Sequence, residues 1–148
     1  MASVFDVAKC ILKNQGPMTA MKLQKLVYYC QAWSLVWDEK PMFPQRIEAW
    51  ANGPVVPELF RAHKGRFSLK AQDIAGDCRK LSTDQKETID AVLSYYGDKP
   101  SQWLSDLTHM ESPWKDARSG LSEEDRGCGE ITHAAMAIYY GGLPPDSL

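Results

Sequence analysis

Residues 19–37 read TAMKLQKLVYYCQAWSLVW, and this stretch decides the fold. Apolar side chains recur in it every three to four residues, as on one face of a helix: Leu23, Leu26, Val27, Cys30, Trp33 and Trp37. A second apolar set widens that face: Tyr28, Tyr29, Ala32 and Val36. The polar side chains fall largely off the stripe: Lys22, Gln24, Lys25 and Gln31. A helix that is apolar on most sides is usually buried, so we predict a central core helix capped by Thr19.

Cap and turn signals outside this stretch predict further helices. Residues 4–12 carry one apolar helical stripe, which Gly16 and Pro17 end. Pro57 suits the first turn of a helix, and residues 82–85 (STDQ) form a capping box before another. A second capping box is predicted at residues 122–125. The last helix is predicted from a stripe of apolar positions: Ile131, Ala134, Ala135, Ile138 and Tyr139.

Two short stretches favour extended structure. Residues 47–51 (IEAWA) precede the turn signal Asn52-Gly53-Pro54, and residues 67–69 carry no helical period. No repeat, low-complexity segment or linker interrupts the chain. We therefore predict a mainly α fold: one compact domain over residues 1–148, with six to seven helices and at most a small β-hairpin.

Composition and charge narrow the classes of function. The 148 residues are 44% hydrophobic and 24% charged, and 17 basic residues are scattered among 19 acidic ones, giving a net charge of −2. Because nucleic-acid binding relies on clustered basic residues, we expect none by this domain alone. The chain has no secretory signal and no apolar run of about 20 residues, so we expect a cytoplasmic protein without membrane contact.

Catalytic and metal-binding motifs do not occur in the sequence. The four cysteines lie far apart, and no HExxH, GxSxG or phosphate-binding glycine loop occurs. His109 and Glu111 are two residues apart, so on a helix their side chains would point about 200° apart. We predict no metal, no cofactor and no enzymatic activity. A small enzyme using His109, Glu111 and Arg118 is the less favoured alternative.

Two stretches rich in Trp, Arg and turn residues are the candidates for partner binding, because Trp and Arg are frequent in binding hot spots. The first contributes Trp50, Asn52, Gly53, Pro54 and Val55, and the second contributes His109, Glu111, Trp114 and Arg118. The alternative for both stretches is structural. Trp50 and Trp114 would then fill the core, while Arg118 would cap a helix or pair with a nearby carboxylate.

Three motifs together resemble the Panacea antitoxin domain of SocA-like proteins and phage-associated GepA proteins. They are LQKLVYY at residues 23–29, IEAW with NGPVVP at residues 47–57, and LTH with Pro113-Trp114 and Ala117-Arg118. The resemblance spans roughly residues 4–140, and residues 66–81 contribute little to it.

The resemblance implies the antitoxin of a toxin–antitoxin pair, often carried by a prophage. Such a protein neutralises a cognate toxin, encoded by an adjacent gene, through direct contact. The alternative it implies is a proteolytic adaptor that delivers the toxin or another client to an ATP-dependent protease. Some relatives carry an additional DNA-binding domain, for which these 148 residues leave no room, so we expect no operon binding.

Overall fold

The computed structural model describes residues 1–122 and 127–144, and helices dominate this part of the chain. The α-helices are α1 (Val4–Gln15), α2 (Ala20–Trp37), α3 (Pro57–His63), α4 (Thr83–Tyr96), α5 (Ser101–Met110), α6 (Ser112–Ala117) and α7 (His133–Gly141). The strands are β1 (Met18–Thr19), β2 (Ile47–Trp50), β3 (Gly53–Val55), β4 (Ser68–Leu69) and β5 (Glu130–Ile131). Two short 3₁₀ helices, Ala71–Asp73 and Cys78–Lys80, precede α4. The predicted mainly α class is confirmed.

Helix α2 is the centre of the fold, as its sequence predicts. Every residue from position 23 to position 34 is buried, and α1, α4, α5 and α7 all pack against this helix. Thr19 caps its start by accepting a hydrogen bond from the backbone N–H of Lys22. The polar residues Gln24, Lys25 and Gln31 lie off the apolar stripe, yet they are fully buried as well. The interior must therefore supply hydrogen-bond partners for them.

The two glutamines of α2 obtain these partners from neighbouring loops. The Oε1 of Gln31 accepts hydrogen bonds from the backbone N–H of Met42 (2.7 Å) and of Phe43 (3.2 Å), and its Nε2 donates to the Phe43 carbonyl. The Oε1 of Gln24 accepts from the Val56 N–H at 2.9 Å. These contacts fix the loop after α2 and the start of α3 relative to the central helix.

The β structure exceeds the single hairpin that was predicted. Strands β2 and β3 form that hairpin, but β5 pairs with the other side of β2, with Ile47 opposite Ile131. Strands β1 and β4 form a separate antiparallel pair. Ile47 and Ala49 face the core, whereas Glu48 and Trp50 alternate with them on the half-buried outer face. The third strand comes from residues far away in sequence, which a local pattern does not reveal.

Most predicted helix boundaries are confirmed. Ser82 and Gln85 form the predicted capping box, and Gly16 caps the end of α1. The predicted box at residues 122–125 falls mainly on residues outside the described part of the chain.

The stripe proposed for the last helix is wrong. Helix α7 starts at His133 after the N-cap Thr132, and it buries Met136 and Tyr140. Ile138 is 77% exposed. The error arises because Ile131 belongs to β5 and not to the helix, so the helical period was counted from the wrong residue.

Lys25 places an ionisable side chain in the core. It is fully buried, and its Nζ donates one long hydrogen bond of 3.4 Å to the Pro54 carbonyl. Burial penalises the charged ammonium and lowers the pKa of Lys25 to about 7. In the unfolded chain the Lys25 side chain has the ordinary lysine pKa of 10.5. Between pH 7 and pH 10.5, the side chain therefore carries its proton in the unfolded chain but not in the folded chain. The free energy of unfolding should therefore rise with pH over this window.

We predict that Lys25→Met stabilises the protein at pH 7 and that its advantage shrinks as the pH rises towards 9. The difference in the free energy of unfolding between Lys25→Met and the wild type should change by up to about 1.4 kcal/mol per pH unit. This slope corresponds to one proton more on the unfolded chain than on the folded chain. Urea unfolding of both proteins at pH 7, 8 and 9 measures it, with Lys86→Met on the exposed surface of α4 as the matched control. A difference that does not vary with pH would contradict a buried, easily deprotonated lysine.

Candidate partner-binding site

The turn between β2 and β3 lies against the central helix and is held from both sides. Gly53 has a φ of +122°, and a Cβ on it would lie 2.5 Å from Lys25 Cε and 3.1 Å from Thr108 Oγ1. Ser105 Oγ of α5 donates a hydrogen bond of 2.6 Å to the Asn52 carbonyl. Glycine is therefore required at position 53 both by its backbone conformation and by its close contacts. Gly53 and Pro54 are buried, and Asn52 is exposed.

Glu111 lies in the core, bound to tyrosines. Its Oε1 accepts hydrogen bonds of 2.7 Å from the hydroxyls of both Tyr29 and Tyr140. The Tyr140 hydroxyl uses its proton in that bond, so Tyr28 must be the donor in the 2.9 Å contact between Tyr28 and Tyr140. Burial raises the pKa of Glu111, and the two hydroxyl donors oppose this rise. At 6% exposure, Glu111 is not accessible to a partner, contrary to the sequence-based proposal.

Trp114 and Arg118 are also interior residues, and both bind the backbone of β2. Trp114 Nε1 donates to the Trp50 carbonyl at 2.8 Å, and Arg118 Nη1 donates to the Ala49 carbonyl at 3.0 Å. Their side chains are 5% and 4% exposed. Their burial favours the structural alternative for both residues over a direct role in partner binding.

The proposed catalytic set does not converge on one point. The ring of His109 stacks on Trp114, with centroids 4.1 Å apart, and the Arg118 guanidinium lies 5.2 Å from the Trp114 ring. Glu111, in contrast, binds the tyrosines of α2 and α7. Within residues 1–122 and 127–144, no group of three or more His, Cys, Asp or Glu side chains could hold a metal ion.

A groove of about 650 Å³ opens on the outer face of the three-stranded sheet, next to α3. The residues that form its main contacts are Met21, Trp50, Asn52, Val55, Phe60 and Lys64. Three of the predicted binding residues, Trp50, Asn52 and Val55, thus meet here. Whether they bind a partner stays a prediction.

Sequence reasoning missed the other half of the groove. Met21, Phe60 and Lys64 come from α2 and from the α3 segment. Phe60 and Lys64 are four residues apart, which places them on one side of α3 and its final turn. The edge-to-face contact of Phe60 with Trp50, at 4.9 Å between centroids, joins that side to the sheet. The spacing of Phe60 and Lys64 is visible in the sequence, but the approach of α3 to β2 is not.

The charged side chains of the groove differ in whether an oppositely charged side chain of the fold pairs with them. Glu48 Oε1 accepts from Trp50 Nε1 at 2.9 Å, while its Oε2 pairs with Arg46 at 3.1 Å. Arg46 also lies 3.9 Å from Glu130. Lys64, on the opposite wall, has no ion-pair partner among the described residues. The ammonium of Lys64 is thus available to a carboxylate from outside.

We predict that Glu111→Gln and Glu111→Ala have opposite effects on stability. Glutamine keeps an oxygen acceptor for the two tyrosines and removes a charge that is costly to bury. Alanine leaves the Tyr29 hydroxyl without its acceptor and opens a cavity, which should cost about 2–4 kcal/mol. Because the pKa of Glu111 is raised above 4.5 in the folded state, wild-type stability should fall as the pH rises past 4.5, and Glu111→Gln should lessen that fall.

Chemical denaturation of the three proteins at pH 5 and pH 7 measures these effects. Equal stability of the alanine variant and the wild type would show that the tyrosine–glutamate network does not stabilise the core.

Among the described residues, no helix is both long and apolar enough to cross a membrane. Comparison with known proteins identifies one family, described as "Antitoxin SocA-like, Panacea domain", which matches residues 23–115. No curated protein and no solved structure matches the chain. The matched range contains α2 from residue 23 onwards, the β2–β3 hairpin, α3 and the Glu111–Trp114 segment, and it covers more than half of the sequence. The chain therefore belongs to the family of SocA-like antitoxins that carry the Panacea domain.

Proposed function

We propose that this protein is the antitoxin of a toxin–antitoxin pair and neutralises its toxin by direct binding. The observation that carries the proposal is the family match over residues 23–115. The toxin is expected from an adjacent gene, and a prophage location and a cytoplasmic site of action belong to the same proposal.

The geometry supports a binding role over a catalytic one. His109, Glu111 and Arg118, the candidates for catalysis, are engaged in packing and in hydrogen bonds within the fold. The groove beside the β2–β3 hairpin, in contrast, is open and lined by aromatic, apolar and charged side chains. A volume of about 650 Å³ can receive side chains from another protein, and pockets of this size are typical of binding sites.

The hairpin also supports this role through its rigidity. Its backbone is bound by Trp114 and Arg118 at Trp50 and Ala49, and by Ser105 and Lys25 at Asn52 and Pro54. A surface held in this way loses little conformational entropy when a partner binds, so more of the contact energy appears as affinity. The buried residues of the predicted site, Trp114 and Arg118, therefore support the proposed function indirectly, because they fix the hairpin that carries the exposed residues.

The test is to co-express the chain with the product of the neighbouring gene in a host that this product inhibits. We expect growth to be restored and the two proteins to co-purify. An unrelated growth inhibitor, expressed with the same chain, is the control for specificity. Failure of the chain both to bind and to protect would contradict the antitoxin proposal for that gene pair.

The same experiment in a host lacking its ATP-dependent proteases separates neutralisation by binding from delivery to a protease. Direct neutralisation predicts protection in both hosts and an unchanged amount of toxin. An adaptor predicts that protection and loss of toxin both require the protease. Protection limited to the protease-containing host would favour the adaptor.

A further inference from the structure

The groove on the outer sheet face continues into a second depression. This depression, of about 210 Å³, shares Met21, Phe60 and Lys64 with the first and extends past Phe67. Phe67 is 82% exposed, although phenylalanine is among the residue types most often found buried. Because they share Met21, Phe60 and Lys64, the two depressions form one track along α3.

The walls of this track suit a bulky apolar side chain. Phe60 contacts the rings of both Trp50 and His63 edge to face, which fixes its position. Trp50 is fixed further by its hydrogen bond to Glu48. Rigid aromatic walls of this kind are typical of the pockets that receive the anchor residue of a binding partner.

The charge at the junction of the two depressions is positive. Lys64 lines both and has no ion-pair partner in the described part of the chain. Arg66, in the second depression, is already paired with Asp73 at 3.2 Å. On the far wall, the carboxylate of Glu48 is bound by Arg46 and Trp50. Lys64 is therefore the charged residue of the track with which a bound partner can form an ion pair, and the partner group that does so is a carboxylate.

We propose that this track receives the toxin, and that the toxin segment bound there packs a bulky apolar side chain against the Trp50 and Phe60 rings and places a carboxylate beside Lys64. The inference rests on the proposed antitoxin function and adds to it the surface and the chemistry of the partner. It moves the contact away from the His109–Arg118 segment, whose Glu111, Trp114 and Arg118 are interior.

The test uses the purified full chain and the purified product of the neighbouring gene. Lys64→Glu should weaken binding by about tenfold or more at low salt, and the loss should shrink as the salt concentration rises. Phe60→Ala should weaken binding by a factor of about five or more at every salt concentration, because it removes an apolar wall. Lys86→Glu, the same charge reversal on the exposed surface of α4, is the matched control and should bind like the wild type.

Circular dichroism and melting temperatures must show that all variants are folded. A charge-reversal scan of the toxin then provides a readout that a purely structural role of Lys64 would not affect. One Asp→Lys or Glu→Lys variant of the toxin should restore binding to Lys64→Glu.

The outcomes separate the two proposals. If folded Lys64→Glu and Phe60→Ala both bind the toxin as tightly as the wild type, the track is not the binding surface, although the antitoxin function can still hold. Loss of binding in Lys64→Glu that no toxin charge reversal restores would overturn the proposed carboxylate. A wild-type chain that neither binds nor protects would overturn the function and the track together.

Discussion

The burial of α2 from residue 23 to residue 34 shapes the whole structure. Polar side chains in this enclosed part of the helix must find hydrogen-bond partners inside the protein. Gln31 binds the loop that follows α2, Gln24 binds the start of α3, and Tyr29 binds Glu111 at the junction of α5 and α6. Each of these bonds positions a different element, so the interior polar groups determine how the helices and the sheet are arranged. Apolar packing alone would be less selective.

The same constraint leaves one face of the sheet outside the core. Ala49 and the neighbouring Ile47 face the core, and Arg118 and Trp114 bind the β2 backbone from within. The alternate residues of β2 must then face outwards, where α3 forms a wall beside them. The motif residues divide into two groups: the buried group holds the hairpin, and Trp50 and its neighbours line the track that we propose as the contact with the partner.

Much of the fold could be predicted from local signals, because caps and turns depend on a few adjacent residues. Ser82 with Gln85, Thr19 and Gly16 act as their sequence contexts indicate. The stripe of α7 failed because a strand ends just before it, and strand pairing depends on distant residues. Which motif residues are buried and which are exposed could not be predicted, for a related reason. Tryptophan and arginine are favoured both in interfaces and in polar positions of the core, and only the tertiary contacts of Trp114 and Arg118 distinguish the two.

Hydrogen–deuterium exchange of the full chain, with and without the product of the neighbouring gene, tests the central claim most directly. The claim is that a rigid outer face of the sheet, and not the buried motif segment, binds the toxin. We expect slower exchange on complex formation in residues 47–67, which contain β2, β3, α3 and Phe67, and unchanged exchange in α4. A complex that protects α4 or the residues after Met110, and leaves residues 47–67 unchanged, would contradict the account.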